Sequence, residues 1–246
     1  MNFTISLAGV NIEIRSIHAA VYDLCRDYLT DRSPDFSVAT TPEDIAFERK
    51  KSNEEAAHEG RPAVDFPDDY LETLAVYRKI CEKLLPYDAF LMHGAVVAQN
   101  GAAYLFTAPS GLGKTTHTRF WLEKYPEAFI LNGDKPILRF QNGKLFACGT
   151  PWAGKEGQNR NVILPLRAVC VLFRGKENKI EPVRFDRIFP LLISQTYRPT
   201  GEAEMRKTLE LIKKTGECVR FYAMFCNLDP NAARVAKEGM DQNEPN

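Results

Sequence analysis

The sequence predicts an α/β protein with a mixed, partly antiparallel sheet and a P-loop, preceded by a small α+β region over 1–66. Three observations carry this. Two apolar runs meet at Asn100-Gly101, and two more meet at Asn142-Gly143. A glycine-rich loop, 108–115, stands between an apolar run and a helical pattern. Asn-Gly between apolar runs is a strong hairpin signal, because a type I′ turn needs positive φ at both central residues. Hairpins at these places make neighbouring strands antiparallel where a doubly wound fold would use crossover helices. The 246 residues suffice for one large domain with a smaller module. The nucleotide-binding part is expected over 67–246.

The elements follow in order. Residues 3–14 read as two short strands around "AGVN", a hairpin. Ile17, Ala20, Val21, Leu24, Cys25, Tyr28 and Leu29 recur at helical spacing, so 17–29 is expected to be one amphipathic helix. "TPEDI" at 41–45 is a helix start: Thr41 caps, Pro42 suits the first turn, and Glu43 and Asp44 favour the dipole. The polar stretch 49–65, with Arg49-Lys50-Lys51, reads as a solvated connection. A second helix starts at Asp68 or Asp69, runs through Leu85 and is expected to cover the following sheet. Next come the strands flanking Asn100-Gly101, the loop, and a helix over 115–125 with Phe120 and Trp121 on one side. "LRAVCVLFR" reads as a buried strand with "KIEPVRF" as its partner. Helices are expected over 186–197, 201–215 and 229–239, the last capped by Asp229 with Pro230 at its first position. "CVRFYAMFCN" is a strand, and the tail 241–246 is expected to be frayed.

Composition excludes several classes. Lys plus Arg and Asp plus Glu are 32 each, so no net charge draws the chain to nucleic acid or anionic membrane. The six cysteines form no C-x-x-C pair and none has a histidine at ligand spacing. Free buried thiols in a reducing cytoplasm are the expectation. The N-terminus lacks the basic and apolar regions of a signal peptide. No apolar stretch approaches the ~18 residues needed to cross a bilayer.

The loop carries the chemistry. Ala108-Pro109-Ser110-Gly111-Leu112-Gly113-Lys114-Thr115 fits the phosphate-loop pattern, with Thr116 completing the run. Gly111 and Gly113 permit backbone angles that turn successive N–H groups toward one anion. The helix N-terminus adds partial positive charge. Lys114 supplies a point charge for the β- and γ-phosphates, and Thr115 a hydroxyl for Mg²⁺. A second metal ligand is expected on a neighbouring strand. Asp134 in "AFILNGDKP" is the only acid between Glu127 and Glu156. His93, in "LMHGAVVA", opens the strand whose hairpin partner leads to the loop, and is either functional or structural. His117 is expected to be an exposed helix residue. "GTPWAGKEGQNRN" at 149–161 is a long polar loop, and such loops are often functional. Lys155 and Arg160 are its cations.

Taken together, "HGAVVAQNGAAYLFTAPSGLGKTT", "ILNGDKPIL" and "GTPWAGKE" resemble the C-terminal catalytic domain of HPr kinase/phosphorylase, of the phosphoenolpyruvate carboxykinase superfamily. The resemblance covers roughly 90–175 and agrees with the mixed sheet of that superfamily. It implies that His93 is the histidine before the loop. Lys114 and Thr115 become the phosphate and metal residues, and Asp134 one member of an Asp-Asp pair. The pair is broken here, because Gly133 and Lys135 flank Asp134. The implied activity is an ATP- and Mg²⁺-dependent kinase acting on a hydroxyl, as of serine in a small protein, peptide or free amino acid. Asp134 or His93 would take the acceptor proton, and Lys155 or Arg160 would neutralise transition-state charge. The alternatives are a nucleotide-binding regulator without phosphotransfer and a small-molecule enzyme of the carboxykinase type. A homo-oligomer is compatible with this reading.

Overall fold

The computed structural model describes residues 1–58, 60–109 and 111–241. Ser110 of the loop and the tail after Asp241 lie outside the described residues. The chain divides into two compact units, Met1–Leu84 and Leu85–Asn246. The break therefore falls after the helix that ends at Leu84, not at 66/67.

In the first unit β1 (Asn2–Leu7) and β2 (Val10–Arg15) form the expected hairpin. Ala8 and Gly9 have φ of 52° and 73° at its turn. A third strand, β3 (Phe36–Ala39), pairs parallel with β2, and no sequence pattern had marked it. The helix expected over 17–29 is shorter: α1 spans Ala19–Leu24, and a 3-10 turn follows over Arg26–Tyr28. Apolar spacing of three and four residues fits both geometries. The preceding backbone is held extended, because the N–H groups of Ile17 and His18 donate to the Glu72 carboxylate at 2.6 and 2.7 Å.

Residues 49–58 are helical, correcting the expected connection. α2 runs Pro42–His58. It is polar on most sides and so lacks the apolar stripe that marks a packed helix. Lys50–Glu54 and Lys51–Glu55 pairs support it. Arg49 is fixed by Asp65 and Asp68 at 2.6 and 2.5 Å. α3 (Asp68–Leu84) packs on α1, α2 and β3, so it belongs to this unit's core.

In the second unit the strands are β4 (Ala89–Leu91), β5 (Ala95–Gln99), β6 (Ala102–Thr107), β7 (Phe129–Asn132), β8 (Ile137–Gln141), β9 (Lys144–Cys148), β10 (Ile163–Arg174), β11 (Lys179–Pro182) and β12 (Arg220–Cys226). The helices are α4 (Lys114–Lys124), α5 (Phe185–Ser194), α6 (Glu202–Cys218) and α7 (Ala232–Asp241). The last begins later than expected. Asp229 Oδ1 instead accepts from the Asn231 N–H at 2.9 Å in a turn before it.

Both Asn-Gly turns take the predicted geometry, with φ of 50° and 76° at Asn100-Gly101 and 49° and 74° at Asn142-Gly143. They join β5 to β6 and β8 to β9, both antiparallel. The described strands form one mixed sheet in the order β4-β8-β9-β10-β6-β5-β7, with β12 also on β10 and β11 on β12. β11 was expected beside β10. It pairs antiparallel with β12 instead, and β12 takes the place parallel to β10. β10 spans the sheet's two parts: Ile163–Pro165 pair with β9, and from Leu166 β10 pairs parallel with β6, with a register shift between Leu166 and Ala168.

Side-chain alternation sends the two faces of β6 into different cores. Ala103 and Leu105 pack with Ile188, Leu192, Leu211 and Ile212 of α5 and α6. Tyr104 and Phe106 pack with Phe120 and Trp121 of α4 and Ala232 and Ala233 of α7. A strand covered on both faces reads as a continuous apolar run, as "AAYLFT" does. The glycine loop is thus carried on the end of a strand with little freedom to move.

Candidate active site

Three strand ends meet at one edge of the sheet. Ala95 at the start of β5 pairs with Phe106 near the end of β6, and Val96 pairs with Asn132 at the end of β7. His93 lies just before β5, the loop just after β6 and Asp134 just after β7. Backbone contacts fix them. The Gly94 N–H donates to the Asp134 carbonyl at 2.9 Å, and the Thr107 hydroxyl donates to the His93 carbonyl at 2.8 Å. His93 and Asp134 are therefore held by the sheet rather than by a free loop.

The turn that presents Asp134 is built by Asn132, which is fully buried. Its Oδ1 accepts from the Asp134 and Lys135 N–H groups at 2.9 and 2.7 Å. Its Nδ2 donates to Thr150 O and Oγ1 at 2.9 and 3.0 Å. Both ends of this buried amide are used, as burial requires.

Asp134 is bound by two side chains. His93 Nε2 lies 2.9 Å from Oδ1, and the Lys135 ammonium donates to Oδ2. Burial opposes ionisation of Asp134, but His93 and Lys135 outweigh it and hold the carboxyl well below the usual carboxylate range. The other ring nitrogen of His93, Nδ1, lies 3.1 Å from Gln195 Oε1.

The loop enters α4 through Gly113, whose φ of 90° places it in the left-handed region. Pro109, Gly111, Gly113 and Thr115 are exposed, while Leu112, Lys114 and Thr116 are half-buried. Lys114 Nζ donates to the Ala108 carbonyl at 2.8 Å. Burial lowers the pKa of Lys114, with Asp134 acting against that and Lys135 adding to it. Lys114 is thus within electrostatic reach of both.

The 149–161 segment is buried over 149–153 and exposed over most of 154–161. Thr150, Trp152 and Ala153 are buried. The Gly133 N–H donates to Gln158 O, and the Arg160 N–H to Leu131 O, each at 3.0 Å. The segment covers β7, an edge strand in need of protection. Gly154 has φ of 74°, and a Cβ there would come within 2.9 Å of the Asp134 Cβ. From this segment it is the Gly154 backbone, not a cation, that lies against Asp134. Arg160 does not reach the site: its guanidinium lies 4.2 Å from the Phe129 ring centroid, at the opposite end of β7 from Asp134. Lys155 is exposed. His117, expected on the surface, is buried. It accepts from Trp121 Nε1 at 3.2 Å, its ring lies 4.5 Å from Phe106, and desolvation lowers its pKa to about 4.

No family model matches this sequence, and no curated protein matches it. Among solved structures, the fold is similar to the Hpr(Ser) kinase/phosphatase from Coxiella burnetii. That likeness has a TM-score of 0.37 and 8% identity over 60% of this chain and 94% of that one. It carries no argument about function, which is read from the residues themselves.

No sequence motif assigns a chemical role to Lys135, Asn132 or Gln195. Asn two residues before Asp is an Asx-turn signal, and it points to Asn132. Gln195 lies 102 residues from its partner His93, with no local pattern around it. A groove of about 800 Å³ in the first unit, lined by Ile17, Ile45 and Arg49 among others, contains none of these residues. No described helix is long and apolar enough to cross a membrane. Cys218 is exposed, and Cys25, Cys81, Cys148 and Cys170 are buried free thiols.

Proposed function

We propose that the second unit is an ATP- and Mg²⁺-dependent kinase that transfers the γ-phosphoryl group to a hydroxyl, with serine in a protein, peptide or free amino acid as the acceptor class. One observation carries the reading. The His93–Asp134 contact of 2.9 Å stands at the strand ends that also bear the glycine loop and Lys114. A phosphate-binding pattern and a histidine–carboxylate pair at one sheet edge supply the two things that phosphoryl transfer needs: charge positioning and a proton acceptor.

Among the described residues no three His, Cys, Asp or Glu side chains gather to hold a metal. Thr115 and Asp134 are oxygen donors, which suits Mg²⁺. That ion usually binds through one or two protein oxygens, with substrate phosphates and water completing its shell. When bound, Mg²⁺ would neutralise charge on the phosphates.

The chain's own groups do the rest. Backbone N–H groups from Gly111 to Thr116 and the Lys114 ammonium hold the phosphates. As the acceptor oxygen bonds to phosphorus and the bond to the β-phosphate oxygen breaks, the hydroxyl proton passes to a carboxylate oxygen of Asp134, because both ring nitrogens of His93 already face acceptor oxygens. Asp134 serves as metal ligand and proton acceptor, His93 orients its carboxylate, and Gln195 sets the ring plane of His93. Gly154 lets the covering segment approach without displacing Asp134.

A nucleotide-binding regulator is the second reading, favoured by the Lys135 ion pair that stands where a second carboxylate would serve catalysis. Incubation with γ-labelled ATP and candidate acceptors separates the two, with Asp134→Asn as control. Label in an acceptor, lost in the variant, supports the kinase. Tight ATP binding without labelling or hydrolysis would overturn it.

A further inference from the structure

Lys135 belongs to no phosphate-loop pattern, yet its ammonium sits on Asp134 Oδ2. The His93 ring and the Lys135 ammonium engage the two oxygens of this carboxylate, and Lys114, on the Ala108 carbonyl, interacts with it through space. Lys114 and Lys135 thus place two cations within electrostatic reach of the one carboxylate. A carboxylate bound by two such partners has both oxygens engaged. To ligate a divalent ion it must release one, because cations compete for the same lone pairs.

The structure distinguishes which partner can leave. His93 is tied on every side. Its ring meets Gln195 at 3.1 Å, its N–H donates to Gln195 O at 2.6 Å, and its carbonyl accepts from Thr107. Lys135 is anchored at its backbone by Asn132, but its side chain is 37% exposed and ends a flexible four-carbon stem. Its ammonium can turn about that anchor, and Lys114 marks the nearby anion site.

We propose that Lys135 is a second phosphate-binding cation of this site, shared between Asp134 and the phosphoryl group. When Asp134 engages a divalent ion, Lys135 releases it and pairs with the phosphate oxygens beside Lys114. The identity of the anion rests on the kinase reading. The exchange gives Lys135 opposite effects on two ligands: it competes with metal for Asp134 and assists the nucleotide.

The test uses the full chain as wild type, Lys135→Ala and Lys135→Arg. ATP binding is measured by calorimetry with Mg²⁺ and with EDTA, and Mn²⁺ binding without nucleotide by paramagnetic relaxation of water. The expected result for Lys135→Ala is ATP affinity about tenfold weaker, with Mn²⁺ binding tighter by several-fold. Lys135→Arg should recover most of the ATP affinity. Circular dichroism and melting curves show that each variant is folded. If wild type binds ATP and Lys135→Ala binds it equally well, this inference fails while the kinase reading stands. It also fails if Lys135→Ala weakens both ligands together, as a purely structural ion pair would. If wild type binds no ATP, both fail.

Discussion

Two carboxylates, one in each unit, show how the same charge can be put to different uses. Glu72 of the first unit is fully buried and Asp134 of the second is partly exposed, and both pKa values are lowered against the opposing effect of burial. Their partners differ in kind. Glu72 is held by the Ile17 and His18 N–H groups, the Thr40 hydroxyl and His18 Nδ1 at 2.8 Å. Two of these are backbone donors that cannot leave without unfolding the segment. Asp134 is held by the side chains of His93 and Lys135, one of them long and partly exposed. A carboxylate bound by backbone donors is a structural clasp. A carboxylate bound by an exchangeable cation beside a glycine loop can change partners, as a working site requires.

Breaking that contrast gives the largest expected effect. Glu72→Ala leaves buried donors from β-strand and helix approaches unpaired. It should cost about 3–5 kcal/mol, measured as early loss of amide-exchange protection across β1, β2 and β3. Loss of less than 1 kcal/mol would remove the clasp from the account. Asp134→Asn should do the reverse: melting changes little, while phosphotransfer from γ-labelled ATP falls by about 10²–10³. A variant that unfolds without losing rate per folded molecule would put Asp134 in the structural class with Glu72.

A pH series sharpens the comparison. The pKa of Glu72 is lowered from 4.5 on folding. Its contribution is therefore fully present above pH 4.5, and is lost as pH falls below that value through the folded-state pKa. Urea unfolding of the first unit should weaken over that acid range in wild type and flatten in Glu72→Gln. The smallest expected effect is at Gln195. Gln195→Leu loosens the His93 ring without removing a reacting group, so kcat should fall about tenfold or less with KM for ATP unchanged. Equal changes in both would mean that Gln195 serves folding instead.

Much of the second unit was readable locally. Asn100-Gly101 and Asn142-Gly143 encode their own turns, because positive φ at both positions suits few other residue pairs. The loop from Ala108 to Thr115 and the helix after it are contiguous, so their order needs no tertiary information. The misreadings arose where the chain depends on distant partners. The polar α2 lacks an apolar stripe and is secured by Asp65 and Asp68 on Arg49. α1 is shortened by its approach to Glu72. β11 joined β12 rather than β10, since strand partners are set by the whole sheet.

The site divides the same way. His93, Lys114 and Asp134 stand in recognisable local patterns, and the sequence by itself determined them as candidates. Only the tertiary structure decided that His93 and Asp134 touch, that Lys135 shares the carboxylate and that Gln195 braces the ring. It also decided that Arg160 rests on Phe129 and that His117 is buried under Trp121. The physical reason is that backbone conformation is written in neighbouring residues, whereas the partners of a charged side chain are chosen by whichever groups the folded sheet brings within hydrogen-bond reach.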